Sequence, residues 1–426
     1  MTHDRREFLF ASAAAGLGSG VPFAARRTTS LPVAPTSADH LPVETPNGAT
    51  LPWNVQDGVK IGHLVVEPVR HEFAPGLAGN CWGYNGRVHG PTIEAVEGDR
   101  VRIYVTNKLD APTTVHWHGI LLPNGMDGVG GLTQRAIEPG ETFRYEFVPQ
   151  KPGTFMYHSH HDEMVQMAMG LLGMFVVHPR VPREPRVDRD FVYMLSEWSL
   201  KVGTERPDPN EMTDFNVLTF NGKVFPATAP LVVKTGQRVR IRIGNLSAMD
   251  HHPIHLHGHA FTVVETDGGV IPESARWPET TVLVAAGQTR TIEFVADAPG
   301  DWALHCHMTH HVMTQMGHGI PNLIGVDPSQ FDAALAKVVP QFTALSEELA
   351  ASAATDAADP TLPKNSLPMV GGMGGHGYIT MGGMVTVLKV RDGITSYEDP
   401  GFYTPPAGTL ANVATPDELA RDGIPR

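Results

Sequence analysis

Residues 305–316 read His305-Cys306-His307-Met308-Thr309-His310-His311-Val312-Met313-Thr314-Gln315-Met316. In an extended strand, successive side chains point to opposite faces, so Cys306 points one way while His305 and His307 point the other. A Cys thiolate, a His and a distant Met are three of the four ligands of a blue-copper site, which takes two His, one Cys and a weak axial Met. The spacing therefore predicts that Cys306, His311 and Met316 bind copper. A zinc site is the alternative interpretation.

This stretch ends the second copy of an internal repeat. The matching segments are residues 84–88 with 220–224, 97–103 with 235–241, 116–119 with 255–258, and 152–160 with 299–307. Self-similarity of this kind indicates two copies of one structural unit. We place the two copies at residues 45–182 and 188–327, separated by a linker rich in Pro, Arg and Asp.

Each copy contains short segments in which apolar and polar residues alternate, such as residues 100–105 and 142–148. Turn residues separate these segments. Short alternating strands at regular spacing are typical of an antiparallel sandwich or barrel. The sequence therefore predicts an all-β protein with two tandem domains.

The segments outside the repeat have a different character. Arg5-Arg6 precede an Ala- and Gly-rich apolar run, which resembles a twin-arginine export signal. We therefore predict that residues 1–30 are a signal peptide and that the protein is periplasmic or secreted. Residues 328–426 are a C-terminal extension, in which we predict a helix at 330–350, a Met- and Gly-rich segment and a strand at 385–390.

The formal net charge of the 426 residues is -13. An acidic chain is a poor candidate for binding nucleic acid or an anionic membrane surface. Beyond the predicted signal, no stretch is long and apolar enough for a spanning helix. The chain has only two cysteines, so copper binding by Cys306 leaves Cys81 without a disulfide partner. We expect Cys81 to be a small buried hydrophobic residue.

Four His-x-His pairs accompany the cysteine motif. They are His116/His118, His158/His160, His255/His257 and His305/His307. Each pair puts two imidazoles on one face of a strand, and each module supplies two pairs at equivalent places of the repeat. Any one pair could belong to an ordinary core, but four in register favour a cluster of three copper ions.

Only the second module completes the blue-copper site. His252, three residues before His255, is the natural fourth ligand beside Cys306, His311 and Met316. The matching positions of the first module hold Thr113 and Ser159, and neither side chain is a soft copper ligand. We therefore predict one blue copper per chain, in the second module.

These motifs resemble those of the multicopper oxidases, and the two-module plan is similar to that of the small, laccase-like bacterial members with the blue (type 1) copper in the second domain. The resemblance implies two cupredoxin-like Greek-key domains and four copper ions per active site. It also implies the ligand roles: His252, Cys306 and His311 with axial Met316 for type 1, His116 and His255 for type 2, and His118, His158, His160, His257, His305 and His307 for the type 3 pair.

In this family, substrate gives up electrons singly at the type 1 copper and the three-copper cluster reduces O2 to water. The resemblance implies a laccase-like oxidase of phenols or aromatic amines. A cuprous oxidase is the alternative, because the extension carries soft thioether ligands that select Cu(I), at Met369, Met373, Met381 and Met384. The same methionines could instead fill gaps in a core. A non-catalytic copper-binding protein and a copper nitrite reductase account less well for four His-x-His pairs.

Reduction of O2 to water also consumes protons. Asp127, after the first His pair, matches the family's acidic residue beside the cluster, which implies that its carboxylate relays protons. A turn-forming Asp before Gly is the alternative interpretation. Several relatives carry an acidic residue directly after the type 1 His, whereas this chain has Val312 there.

Each module holds four of the eight cluster histidines, so neither module can build the cluster alone. Two-domain relatives form a ring of three chains, with each cluster between module one of one chain and module two of the next. Head-to-tail interfaces close in this way when the rotation allows it. We therefore predict a homotrimer with intersubunit clusters.

Overall fold

The computed structural model describes residues 40–201, 203–313 and 371–425. The predicted signal peptide, the predicted helix at 330–350, Met316 and Met369 lie outside these ranges. Regular structure in the described residues is almost entirely strand, with short α-helices at Glu163–Ala168 (α1) and Pro416–Arg421 (α2). The prediction of an all-β protein is confirmed.

Domain one is built from two sheets. Its strands are β1 (Asn54–Gln56), β2 (Val59–Ala74), β3 (Leu77–Tyr84), β4 (Ile93–Val96), β5 (Arg100–Asn107), β6 (Thr142–Phe147), β7 (Gly153–His158) and β8 (Leu172–His178). One sheet has the order β1-β2-β5-β6 with β3 paired to β2, and the other has the order β4-β8-β7. In β5 the alternation seen in the sequence places Val101, Ile103 and Val105 in the core.

Domain two repeats this plan. Its strands are β9 (Arg189–Trp198), β10 (Val217–Phe220), β11 (Leu231–Lys234), β12 (Arg238–Asn245), β13 (His252–Leu256), β14 (Phe261–Thr266), β15 (Gly269–Val270), β16 (Pro278–Glu279), β17 (Thr281–Val284), β18 (Thr289–Val295), β19 (Gly300–Cys306), β20 (Gly372–Gly374), β21 (Gly377–Ile379) and β22 (Val385–Arg391). One sheet has the order β10-β9-β12-β18-β14-β15 with β16 on β14, and the second has the order β11-β22-β19-β13-β17.

The strand β22 comes from the segment that the sequence assigned to the C-terminal extension. It lies inside the second sheet, parallel to β11 and antiparallel to β19. In domain one, β8 pairs with β4 and β7 in the same two senses, so β22 is the counterpart of β8. The sheet of domain two therefore continues beyond residue 327, where the prediction ended the domain, and the predicted strand at 385–390 completes that sheet.

A buried layer joins the two domains. Met156 and Met174 of domain one pack with Val192, Met194 and Leu246 of domain two. A buried polar group lies beside this layer, because Arg242 donates to Asp190 and, at 2.9 Å, to Thr154 of domain one. Arg242 and Asp190 both belong to domain two, so the hydrogen bond to Thr154 is the link of this group to domain one, and a hydrogen bond from a charged donor contributes about 1.5–3 kcal/mol.

Within the described residues, three short 3-10 helices lie in the loops, at Asn124–Met126, Glu273–Ala275 and His311–Met313. None of the helices in the described part of the chain has the length and apolar character needed to cross a bilayer.

Candidate copper centres

Three predicted type 1 ligands converge in domain two. His252 begins β13, Cys306 ends the adjacent strand β19, and His311 begins a 3-10 helix. All three side chains are fully buried. The distances are 3.7 Å from Cys306 Sγ to His252 Nδ1, 3.4 Å from Sγ to His311 Nδ1, and 3.1 Å between the two Nδ1 atoms. We call these residues the type 1 triad.

The donor set of the triad fits a metal ion. A point about 2 Å from all three atoms lies inside their triangle, and metal–nitrogen and metal–sulfur bonds have about this length. His252 Nε2 lies 2.7 Å from Ser247 Oγ, and His311 Nε2 lies 3.5 Å from a carboxylate oxygen of Asp250. A carboxylate beside Nε2 favours the tautomer that leaves Nδ1 free to bind metal.

Burial alone works against the ionised form of the cysteine. It raises the pKa of the Cys306 thiol to about 12. The thiolate is the metal-binding form, so a cation at the centre of the triad is what would offset the cost of the buried negative charge. Burial also lowers the pKa of His252 well below its ordinary value, which keeps that imidazole neutral and able to bind metal.

The axial position is the part of the type 1 site that the described residues leave open, because Met316 lies outside them. Met384 lies directly beside the triad. Its carbonyl accepts from Cys306 N at 3.1 Å, its N–H donates to His311 O at 3.0 Å, and its side chain is fully buried. In domain one, Leu171 takes the same place, since its carbonyl accepts from Ser159 N at 3.1 Å. Met384 thus occupies a core position in which the other copy carries an ordinary apolar residue.

The four histidines of domain one form one group, which we call the domain-one quartet: His116, His118, His158 and His160. Their ring centroids lie 5.3–5.9 Å apart in the contacting pairs. His118 Nδ1 faces His158 Nε2 at 3.3 Å, and His158 Nδ1 bonds to the carbonyl of Ser159 at 2.8 Å. The nitrogens that face each other across the group are therefore available to a metal.

The domain-two quartet, His255, His257, His305 and His307, repeats this geometry. The contacting ring centroids are 4.7–5.6 Å apart. His257 Nε2 faces His305 Nε2 at 3.1 Å, and His305 Nδ1 bonds to the carbonyl of Cys306 at 2.7 Å, as His158 does in domain one. The Gly after each first pair is explained by packing, because a Cβ at Gly258 would lie 2.4 Å from the ring of Trp302.

The strand β19 connects the two kinds of centre. Cys306 points into the core of domain two, whereas His305 and His307 lie in the quartet on the other face. The structure thus brings together the predicted ligands within each module, apart from Met316. It places the type 1 triad and the domain-two quartet on neighbouring residues of one strand.

Asp127 lies where the sequence predicted it. Its backbone carbonyl is 2.7 Å from His116 Nδ1, and its carboxylate oxygen is 3.5 Å from the same nitrogen. The following Gly128 has φ +88°, and a Cβ there would lie 1.8 Å from the carbonyl of Val115. The glycine therefore lets the Asp127 turn approach the strand that carries His116.

The two quartets of one chain are separate. No hydrogen bond or ring contact joins them in the part of the chain that the structure describes, and His257 and His307 are exposed. The domain-one quartet instead opens into a cavity of about 600 Å³, whose far wall includes Leu246, Ser247 and Met249 of domain two. Each quartet is therefore half of the predicted cluster.

Two acidic residues that lie near these sites were not predicted from the sequence. Glu163 follows His160 by three residues, and its two carboxylate oxygens lie 3.7 Å from His158 Nδ1 and 3.7 Å from His160 Nε2. Glu197 is buried and accepts hydrogen bonds from the N–H groups of Met249 and Asp250. Burial, followed by the charge of Asp250, raises the pKa of Glu197 to about 9. The position of Glu163 three residues after His160 was a usable local signal, whereas Glu197 is distant in sequence from the motifs.

The methionines of the extension do not form one exposed array. Met373 is exposed in the β20–β21 hairpin, Met381 is half-buried, and Met384 lies in the core beside Cys306. For Met384 the interpretation as a gap-filling core residue is correct. Cys81 is also buried and unpaired, as expected, and burial raises the pKa of its thiol to about 12.

The described residues form a pair of cupredoxin-like domains with a buried His252-Cys306-His311 triad in domain two and a histidine quartet in each domain. Two family models, both described as multicopper oxidase, match residues 65–182 and 201–323, which together make up more than half of the chain. The chain belongs to the multicopper oxidase family.

Individual relatives agree with this assignment. Multicopper oxidase MmcO of Mycobacterium tuberculosis is 36% identical over 223 residues, covering 44% of this chain and 43% of its own. Copper resistance protein A of Pseudomonas syringae pv. tomato is 31% identical over 232 residues, covering 43% of this chain and 38% of its own. The chain thus spans about two fifths of the length of these curated relatives.

Among solved structures, a blue copper oxidase from Nitrosomonas europaea is 34% identical with a TM-score of 0.54. That match covers 59% of this chain and 80% of the other.

Proposed function

We propose that this protein is a laccase-like, copper-dependent oxidase that removes single electrons from phenols or aromatic amines and uses O2 as the final acceptor. The observation that carries the proposal is the arrangement on β19, where Cys306 of the type 1 triad lies between His305 and His307 of the domain-two quartet. With copper bound, the type 1 site accepts electrons singly, and a cluster of three further copper ions reduces O2 to water.

The residues of the chain have distinct parts in this function. The buried type 1 triad excludes water from the electron-accepting site. The peptide backbone joins Cys306 directly to His305. The 2.7 Å hydrogen bond from His305 Nδ1 to the Cys306 carbonyl adds a second link, so electrons have a short path from the type 1 triad to the domain-two quartet. Asp127, beside His116, holds a carboxylate where protons are consumed.

The cluster of three copper ions is proposed to form between chains, in a homotrimer. The support is the separation of the two quartets within one chain and the exposure of His257 and His307. A head-to-tail contact that places the domain-two quartet of one chain against the domain-one quartet of the next would complete all eight ligands, and such contacts close into rings. The twin-arginine motif at Arg5-Arg6 supports a periplasmic or secreted location.

A second candidate function is the oxidation of Cu(I). Met164, Met212 and Met249 are exposed, and all three line the cavity that also contacts the domain-one quartet. Glu163 and Glu211 lie in the same wall. Thioethers select Cu(I), and Met249 is adjacent to Asp250, whose carboxylate lies 3.5 Å from His311 of the type 1 triad.

Parallel rate measurements on a simple phenol and on Cu(I), with O2 consumption as the readout, test the proposal. The laccase-like function predicts O2 uptake with the phenol by the blue, copper-loaded protein. A blue protein that consumes no O2 with any reductant would contradict an oxidase.

A matched pair of variants separates the two substrates. If Cu(I) binds in the cavity, Met212→Leu with Met249→Leu lowers the rate on Cu(I) and leaves the rate on the phenol unchanged. Met373→Leu, which alters an exposed methionine of the β20–β21 hairpin outside the cavity, is the control. Equal rates on Cu(I) before and after the double substitution would remove Met212 and Met249 from substrate binding.

A further inference from the structure

Residues 406–425 extend from domain two and are almost entirely exposed to solvent. Every residue in this segment is exposed except Leu419, which is half-buried. All of its hydrogen bonds are internal, such as Thr409 N to Pro406 O and Asp422 N to Glu418 O, and none reaches another part of the described chain. We call this segment the C-terminal arm.

The C-terminal arm has a defined conformation in spite of this exposure. Thr415 caps α2 with a full capping box, accepting from Glu418 N while Glu418 accepts from Thr415 N. A helix of six residues is too short to be stable in water without packing against another surface. The apolar side chains of Leu410, Val413 and Ile424 are uncovered, and Val413 is 94% exposed. Exposed apolar side chains of this kind mark a segment that packs on the surface of another molecule.

The start of the arm is fixed to one face of β19. Tyr403 N donates to Asp301 Oδ2 at 2.8 Å, and Arg391 Nη2 donates to the carbonyl of Gly401 at 2.8 Å. Phe402 and Tyr403 line a groove together with Asp301 and Ala303. The segment therefore leaves domain two from a firmly held point.

That face is also the face of the domain-two quartet. Side chains alternate along a strand, so Asp301 and Ala303 share a face with His305 and His307. Ala303 and His305 are about 7 Å apart along the strand, and Val385, which pairs with His305, lines the same groove. The anchor at Asp301 thus lies on the same face as the domain-two quartet, about 13 Å along the strand from His305.

We propose that the C-terminal arm packs on a second copy of this chain and fastens the contact that completes the copper cluster. This inference rests on the proposed function, because it takes the face of the domain-two quartet as the contact between copies. The arm is continuous with that face, so it extends onto the molecule on the other side of the contact. The molecule on which it packs is therefore a second copy of this chain.

Domain one offers an apolar rim where the arm would arrive. Leu121, three residues after His118, is 66% exposed, and Leu132 is 81% exposed. Leu132 belongs to the turn in which Gly130 N donates to the carbonyl of His160 at 3.3 Å. Both leucines therefore lie in loops next to residues of the domain-one quartet, which is the surface that faces a neighbouring domain-two quartet in the proposed ring. The leucines are the partner for Leu410 and Val413.

The test uses the full chain with the double substitution Leu410→Asp and Val413→Asp. Asn412→Asp, which adds a charge between the same two residues without removing apolar surface, is the control. Sedimentation velocity over a range of protein concentrations reports assembly, and the blue colour of the type 1 site reports that domain two is folded. We expect the double variant to stay blue and to need at least ten times more protein to assemble, whereas the control matches the unchanged protein.

Assembly of the blue double variant at the same concentrations as the unchanged protein would overturn the role of the arm. An unchanged protein that is blue and monomeric at every concentration would overturn both the arm contact and the shared cluster. Loss of assembly in the double variant with full retention of cluster copper would support the arm contact and contradict the shared cluster. The two proposals therefore fail in different ways.

Discussion

The two domains differ most at one equivalent corner. In domain two this corner holds the type 1 triad, whereas in domain one it holds Thr113, Ser159 and Gln166, which are equally buried. Gln166 Oε1 accepts from Thr113 Oγ1 at 2.7 Å and from Ser159 Oγ at 2.6 Å, and its Nε2 donates to the carbonyl of Pro112 at 2.8 Å. The hydrogen bonds of this group are complete without any ion.

The contrast shows what distinguishes a metal site from a core at the same place in one fold. The domain-two atoms converge at 3.1–3.7 Å as two imidazole nitrogens and a sulfur, and a buried thiolate among them requires a positive charge. The domain-one atoms form donor and acceptor pairs. Buried polar groups are tolerated when they are paired, so the corner of domain one is satisfied by hydrogen bonds where the corner of domain two offers metal ligands.

The largest effect on colour and activity is expected when the sulfur of Cys306 is replaced. Cys306→Ser removes the thiolate, and serine is a hard, weakly acidic ligand that cannot supply the Cu–S bond of a blue site. The variant should lose its intense blue colour and its oxidase activity while cluster copper stays bound, as measured by absorption spectroscopy and copper analysis. The converse variant Ser159→Cys should not turn domain one blue, because Thr113 and Gln166, rather than two histidines, lie against that position. A blue Cys306→Ser protein would contradict the assignment.

The second prediction compares equivalent cluster ligands. His116 Nδ1 has the Asp127 carboxylate at 3.5 Å, whereas His255 Nδ1 has the Thr281 hydroxyl at 2.9 Å. Asp127→Asn keeps the shape and the backbone contact but removes an exchangeable proton. We expect O2 reduction to slow by about 100-fold or more, the range typical of general acid–base catalysis, while reduction of the type 1 copper stays fast.

Stopped-flow reoxidation measures this step, with Thr281→Val as the control on the other half of the cluster. Reoxidation of Asp127→Asn at the unchanged rate would leave Asp127 as a turn residue only. Slowing by Thr281→Val to the same extent would mean that the loss reflects disturbed ligands rather than a missing proton donor.

The third prediction concerns the glutamine that fills the corner of domain one. Gln166→Leu removes the acceptor shared by the Thr113 and Ser159 hydroxyls and the donor to the Pro112 carbonyl. The hydroxyls keep only longer contacts of 3.2–3.4 Å, and each buried group left unpaired costs about 1–3 kcal/mol. We expect a loss of about 2–4 kcal/mol in the free energy of unfolding, measured by chemical denaturation. The triple variant Thr113→Val, Ser159→Ala and Gln166→Leu should recover much of it, because the polar groups are then removed together. If the triple variant recovers no stability, the shape of this buried group rather than its hydrogen bonding determines the free energy of unfolding.

The smallest effect is expected at the axial position. An axial Met holds the type 1 potential below that given by an apolar residue, so Met316→Leu should raise the potential in a redox titration. Met384→Leu is the control, because Leu171 already occupies the equivalent place in domain one. A rise with Met384→Leu and none with Met316→Leu would move the axial role to Met384, and no rise with either would make Met313 the candidate.

Much of the site was predictable because the two-residue spacing of an extended chain and the repeat place the His-x-His pairs and Cys306 in or directly beside the strands. His311 lies in a 3-10 helix and was recognised only from its spacing after Cys306. Asp127 was predicted from the resemblance to the multicopper oxidases, and its carboxylate lies 3.5 Å from His116 Nδ1. The contacts of Glu197 were not accessible in this way, because a buried carboxylate reaches the type 1 loop only through the packing of β9.

The end of domain two shows the limit of reasoning from a repeat. In domain one, β7 ends at His158 and β8 follows at Leu172, whereas in domain two β19 ends at Cys306 and β22 begins at Val385. The long interval moved the last strand beyond the region where the repeat remains visible. The parallel partner β11 shows where this strand belongs, and that pairing is a long-range contact without a local signal.

We proposed that domain one of one chain and domain two of another chain share each copper cluster. Complementation between two inactive variants tests this sharing most directly. His116→Ala breaks only the domain-one half and His255→Ala only the domain-two half, so each variant alone should be nearly inactive. Co-expressed in one cell, the two variants should form mixed rings in which some interfaces pair an intact domain one with an intact domain two. The shared cluster predicts that these rings bind cluster copper and recover part of the activity. Absence of any recovery in oligomers shown to contain both variants would contradict it.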